Sequence, residues 1–316
     1  MRPNEVSEMK QSIHGLWLHR FAVLTSFSTW LLIWAGGFVT STDSGLAVPD
    51  WPLSYGMLMP PMVGGIFYEH GHRMVATFVG MLTVILAIWL WRREQRQWLR
   101  RLGLLALAMV ISQGILGGIT VLYLLPTPVS VSHATLAQTF FCVTVLIAFA
   151  TSREWKEAGE RSRDVSGLRR LAVTATAAVY IQLILGAVVR HTGSALAIPD
   201  FPLAFGRLIP PFNETGVVIH FIHRLGAVVV TVCLVWLIAR IWNRRRDNRR
   251  HIPIALALGS LLTLQILLGG TIVWTSRATL PATAHVATGA LLLASCWFLT
   301  LRAHLHLSPM KSGTLF

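Results

Sequence analysis

Residues 36–61, GGFVTSTDSGLAVPDWPLSYGMLMPP, are written again at 186–211 as GAVVRHTGSALAIPDFPLAFGRLIPP. Ser44, Leu46, Pro49, Asp50, Pro52, Leu53, Gly56, Pro60 and Pro61 recur as Ser194, Leu196, Pro199, Asp200, Pro202, Leu203, Gly206, Pro210 and Pro211, at an offset of 150. The register persists beyond this stretch. His72-Arg73 matches His223-Arg224 at an offset of 151, while QGILGG (113–118) matches QILLGG (265–270) and His133 matches His285 at an offset of 152. Self-similarity sustained over half a chain marks a duplicated architecture.

The surroundings of the repeat say what is duplicated. The chain is 54% hydrophobic and only 13% charged, about half the charge of a soluble domain. Apolar runs of roughly 20 residues, the length that crosses a bilayer, occur near 19–40, 70–91, 102–123, 130–151, 171–190, 219–240, 252–274 and 281–301. The expected fold is an all-α integral membrane protein with eight transmembrane helices. Four spans per half return the chain to the same side, so the halves share one orientation. They are expected as two tandem four-helix bundles related by a pseudo-two-fold axis along the membrane normal. The boundaries are 1–151 for the first half, 152–170 for a charged linker and 171–316 for the second. Such bundles commonly hold cofactors between facing helices.

A net charge of +14 could suggest a nucleic-acid partner, but its distribution excludes that class. All but five of the 27 Lys and Arg fall in the termini and in alternate connections; the exceptions are Arg73, Arg190, Arg207, Arg224 and Arg277. This is the positive-inside asymmetry. It predicts cytoplasmic termini, with the loops near 41–69, 124–129, 191–218 and 275–280 outside. The first apolar run is too long for a signal h-region and lacks a small-residue cleavage site, so it reads as a span. Cys142, Cys233 and Cys296 lie inside spans and far apart, which offers neither a disulfide framework nor a CxxC motif.

Histidine is the informative residue type. His14, His19, His251, His304 and His306 sit at cytoplasmic ends, whereas His70, His72, His133, His191, His220, His223 and His285 cluster on the outer side. His72, His133, His223 and His285 open the second, fourth, sixth and eighth spans at similar depth. Neutral imidazole is a common axial ligand of haem iron, and a haem between two helices takes one histidine from each. The repeat supplies that arrangement twice, which predicts two bis-histidine haem sites. Zinc fits less well, because no third or fourth ligand converges at an obvious spacing.

The stretch YEHGHRM (68–74) separates by helical phase. Glu69 and His72, three apart, share a face; His70 points away from His72. His72 is therefore the ligand candidate, with Glu69 one turn away near the face of a bound ring. Arg73 and Arg224 follow the ligands and are candidates for pairing with haem propionates, which Arg suits. Glu69 corresponds to His220, so ExxHR in one half faces HxxHR in the other, and the halves are expected to do unequal work. The Pro- and Gly-rich outer loops read as lids over these sites.

Taken together, GGFVTSTDSGLAVPDWP, the ExxHR motif and the four matched histidines resemble the haem A synthase family, over nearly the whole chain from about Gly36 to the eighth span. The resemblance implies an eight-helix membrane enzyme of the bacterial-type inner membrane. It would convert haem O into haem A for terminal oxidases, oxidising a porphyrin methyl to a formyl group through successive hydroxylations. It further implies that His223 and His285 ligate a permanent haem b, that His72 and His133 face the substrate haem O, and that Glu69 is the catalytic carboxylate. Haem O synthase, oxidase assembly factors or a second copy of the chain are the protein partners compatible with it. One departure stands out: residues 41–69 contain no cysteine, whereas some members carry a pair there. The residues alone also fit a di-haem b-type electron carrier, or a haem transporter or chaperone.

Overall fold

The computed structural model describes residues 3–157, 166–243 and 251–305. Its helices are α1 (Pro3–Ser41), α2 (Gly64–Arg93), α3 (Gln97–Leu122), α4 (Thr127–Thr151), α5 (Arg153–Glu157), α6 (Ser166–His191), α7 (Thr215–Asn243), α8 (Ile252–Trp274) and α9 (Thr279–Leu305), with a 3₁₀ turn at Ser194–Leu196. Among the described residues all but α5 contain a helix long and apolar enough to cross a membrane, eight in all. The chain is a multi-pass, all-helical membrane protein. In lipid every backbone N–H and C=O must be satisfied within the element, and a continuous helix does this. Pro126 and Pro128 mark the start of α4 and Pro253 that of α8, positions where a missing N–H costs nothing.

Two boundaries differ from expectation. The outer loops end at Gly64 and Thr215 rather than near 69 and 218. No proline follows Pro61 or Pro211 to stop the helix. Glu69, whose charge suggested a membrane edge, is paired inside α2 with Arg73, one turn on, at 2.7 Å. Within the expected linker, α5 covers 153–157 and α6 is already helical from Ser166; residues 158–165, the basic run 244–250, the chain ends beyond 3 and 305, and the side chain of His14 lie outside what is described.

Helices α1, α2, α3 and α4 pack in a cycle, each on the next and α4 back on α1; α6, α7, α8 and α9 do the same. The two cycles meet where α9 lies on α1 and α4, and where α4 lies on α6. Polar side chains stitch this seam: Trp30 donates to the Ala287 carbonyl at 3.0 Å, Trp297 to the Cys142 carbonyl at 2.9 Å, and Thr139 and Tyr180 share a 2.6 Å hydrogen bond. The tightest apolar clusters sit at the ends of the helices remote from the 42–63 and 192–214 loops. Leu86, Leu90, Leu99 and Ile147 form one and Leu234, Leu258, Leu293 and Leu299 the other, with Cys296 fully buried in the second. The histidines stand at the opposite ends.

Candidate functional site

The loops above these ends share one construction. Asp50 Oδ1 and Oδ2 accept from the backbone N–H of Tyr55 (2.6 Å) and Gly56 (2.8 Å); Asp200 does the same for Phe205 (2.6 Å) and Gly206 (2.7 Å). Tyr55 and Gly56 (φ 55° and 69°), like Phe205 and Gly206 (φ 56° and 70°), are both left-handed. Ser54 and Met57 exchange two 3.0 Å bonds across the turn, the geometry of a type I′ hairpin, which glycine at the second position makes inexpensive. Trp51-Pro52 and Phe201-Pro202 are cis in both copies.

The Gly56 N–H, followed by that of Tyr55, holds the Asp50 carboxyl below its ordinary value, and Gly206 and Phe205 do so for Asp200. A depressed folded pKa contributes stability that is present above the unfolded value, about 3.9, and is lost as pH falls through the folded one. The hairpins are thus expected to hold from neutral pH down to about 4 and to open below. Amide exchange of Tyr55, Gly56, Phe205 and Gly206, corrected for intrinsic rates, reads this directly. Asp50→Asn should speed exchange at Tyr55 and Gly56 at neutral pH and leave the second hairpin unchanged.

Below the loops, His72 and His223 each stand eight residues after the start of their helix, and His133 and His285 six. At 1.5 Å per residue these are depths of about 12 and about 9 Å. Every one of the four rings leans on a glycine of a neighbouring helix. A Cβ on Gly36 would lie 3.1 Å from His72 Cε1, on Gly186 3.2 Å from His223 Cε1, and on Gly117 and Gly269 3.4 Å from Cε1 of His133 and His285. For His133, His223 and His285 the next ring atom against the glycine is Nδ1, which leaves Nε2 as the outer nitrogen. His72 on α2 and His133 on α4 stand on opposite corners of one helix cycle, and His223 on α7 and His285 on α9 on opposite corners of the other. The paired glycines of QGILGG and QILLGG thus divide their work. Gly117 and Gly269 admit a histidine, while Gly118 and Gly270 admit the loop aromatics Trp51 and Phe201, which a Cβ would meet at 2.7 and 3.0 Å. Among the described residues no three His, Cys, Asp or Glu converge as a metal cage.

Glu69 and His220, the residues that break the repeat, occupy equivalent slots. Glu69 Oε2 accepts from the buried Val48 N–H at 2.7 Å and Oε1 from Arg73 Nη2 at 2.7 Å. His220 Nδ1 lies 3.3 Å from the Ile198 N and Nε2 3.2 Å from Arg224 Nε, and the neutral ring accepts from one of these two N–H donors. The guanidiniums reach the loops rather than open space. Arg73 donates to the carbonyls of Asp50 (2.8 Å), Leu53 (2.8 Å) and Val48 (3.3 Å), and Arg224 to those of Asp200 (2.7 Å), Leu203 (2.8 Å) and Ile198 (3.3 Å). Helical phase assigned His70 no task, yet it is buried and its Nδ1 lies 2.8 Å from Ser54 Oγ. The second copy has Phe221 and Ala204 there, packed with Ile198 and Val217. That paired change, Ser with His against Ala with Phe, is the signal that marks the contact in the sequence.

Known proteins place this chain in a family. The family model of cytochrome oxidase assembly proteins named COX15-CtaA matches residues 19–64 and 63–297. The chain belongs to the COX15-CtaA family. Curated relatives in it include a heme A synthase of Symbiobacterium thermophilum, 36% identical over 72% of this chain and 76% of its own length. Those of Shouchella clausii, 31% identical over 83% and 89%, and Halalkalibacterium halodurans, 29% identical over 89% and 95%, are also heme A synthases. The family match spans both copies of the repeat.

Proposed function

We propose that this protein is a haem A synthase, a membrane oxidoreductase that takes haem O as substrate and raises one porphyrin methyl group to the formyl oxidation level, yielding haem A for terminal oxidases. The observation that carries this reading is the duplicated histidine pair with a carboxylate, Glu69, beside one pair only. In the reading, His72 and His133 receive haem O and His223 and His285 hold a resident haem b. The residues fit such a group: a glycine lets each imidazole pack against the neighbouring helix, Nε2 is the outer nitrogen in three of the rings, and the ligand pairs stand at matched depth. Haem b supplies reversible electron transfer when bound. The protein orients the substrate through two histidines, closes the outer loop over it through Arg73, and fixes Glu69 at its edge. Each Glu69 oxygen, with one hydrogen bond made, keeps a lone pair for a water or for positive charge developing on the substrate carbon. With their other guanidinium nitrogens on loop carbonyls, Arg73 would meet a propionate through Nε, whereas Nε of Arg224 already lies against His220. The same reading has the two helix cycles as tandem bundles about an axis along the membrane normal, with both termini cytoplasmic.

Pigment analysis tests it. Co-expressed with a supply of haem O, the wild type is expected to carry haem b together with haem A or hydroxylated haem O. His72→Ala should keep haem b and lose the other pigments, and His223→Ala should lose haem b. Wild type that yields haem b alone would instead identify a di-haem electron carrier.

A further inference from the structure

The four histidines differ in what supports them from behind, and the difference falls on one residue. Nδ1 of His133 and of His285 is buried with no hydrogen-bond partner. Nδ1 of His223 lies 3.1 Å from the side-chain amide of Gln182 on α6, which also donates to the His223 carbonyl at 2.8 Å. Nδ1 of His72 is buried with no hydrogen-bond partner. At the offset of 150 that brings Gly36 onto Gly186, Gln182 falls on Leu32, which has no polar atom to offer.

We infer that Gln182 is a positioning residue that makes His223 the tighter iron ligand, and that Leu32 leaves His72 a weak one so that its ring can be exchanged. This rests on the proposal that the second half holds a resident haem and the first a substrate. Iron on Nε2 requires the proton on Nδ1, and that proton needs an acceptor. The Gln182 Oε1 is buried and unpaired. Which end of the amide faces the ring is a choice of rotation about its last torsion. Turning it exchanges a bond to a carbonyl inside α7 for one from Nδ1–H. A hydrogen-bond acceptor on the far nitrogen fixes the plane of the imidazole and raises its basicity toward the metal, and losing such a partner typically costs about 10–100-fold in affinity. A haem O that must leave as haem A is served by the opposite choice, an imidazole whose Nδ1 has no partner.

The test uses the full-length protein purified with its pigments. In Gln182→Leu, which installs the residue the first half carries, haem b should wash out or yield to added imidazole about 10–100-fold more readily, and its midpoint potential should rise. Gln182→Glu keeps an acceptor and should retain haem b at a potential equal to or below that of the wild type. Leu32→Gln should retain more haem O or haem A through purification than the wild type and slow turnover in step. If Gln182→Leu holds haem b with unchanged imidazole sensitivity and potential, while His223→Ala loses it, Gln182 has no such role although the site assignment stands. If His223→Ala also keeps haem b, the assignment itself fails.

Discussion

Glu69→His is expected to stop haem A formation while leaving the haem b of the proposed assignment, the bound substrate and the outer loop in place. The second half already shows that a histidine can fill this slot. His220 stands between the Ile198 N–H and Arg224 where Glu69 accepts from Val48 and Arg73. A neutral imidazole accepts at one nitrogen, so the exchange fills the slot, keeps one of the two hydrogen bonds and removes the carboxylate. Positioned acid–base groups contribute about 10²–10⁴-fold to rate, and a loss in that range is expected in single-turnover conversion of bound haem O, followed by pigment extraction. Glu69→Gln, closer in size, should fall in the same range. Full conversion by either variant with both haems bound would reduce Glu69 to a loop anchor.

Arg73→Leu carries the largest expected cost in stability, and more than its counterpart Arg224→Leu. Both changes release three loop carbonyls. What they leave behind differs. Loss of Arg73 strands a buried carboxylate, for which breaking a buried ion pair costs about 3–5 kcal/mol. Loss of Arg224 strands an imidazole that can stay neutral, nearer the about 1–3 kcal/mol of an unsatisfied polar group. Thermal unfolding in detergent should rank wild type above Arg224→Leu and both above Arg73→Leu. The double variant Arg73→Leu with Glu69→Leu should recover part of the loss; equal destabilisation by the two single changes would refute the argument.

Much of this was written in the letters. Apolar runs located all eight membrane helices, because a backbone in lipid has few other ways to satisfy itself. The repeat, not any single motif, singled out His72, His133, His223 and His285, and the structure sets each against a glycine of a neighbouring helix. The work of the arginines was not legible. Arg73 and Arg224 bind main-chain oxygens, which have no letter, so the one acceptor that side-chain chemistry suggested was a propionate. His70 was passed over because helical phase describes one helix, whereas its partner, Ser54, arrives from a loop. The start of α2 was misplaced for a related reason: a glutamate reads as an edge until the arginine that neutralises it is seen one turn further in.

The matched depths of the four histidines bear on energetics outside the protein. If both rings sit at one level beneath the same face, an electron passing between them travels parallel to the bilayer. A charge that crosses the membrane gains or loses about 2.3 kcal/mol for each 100 mV of potential, but one moving sideways crosses none of it. Voltage across the membrane would then neither drive nor oppose transfer between the halves, and oxidation could proceed alike in energised and de-energised cells.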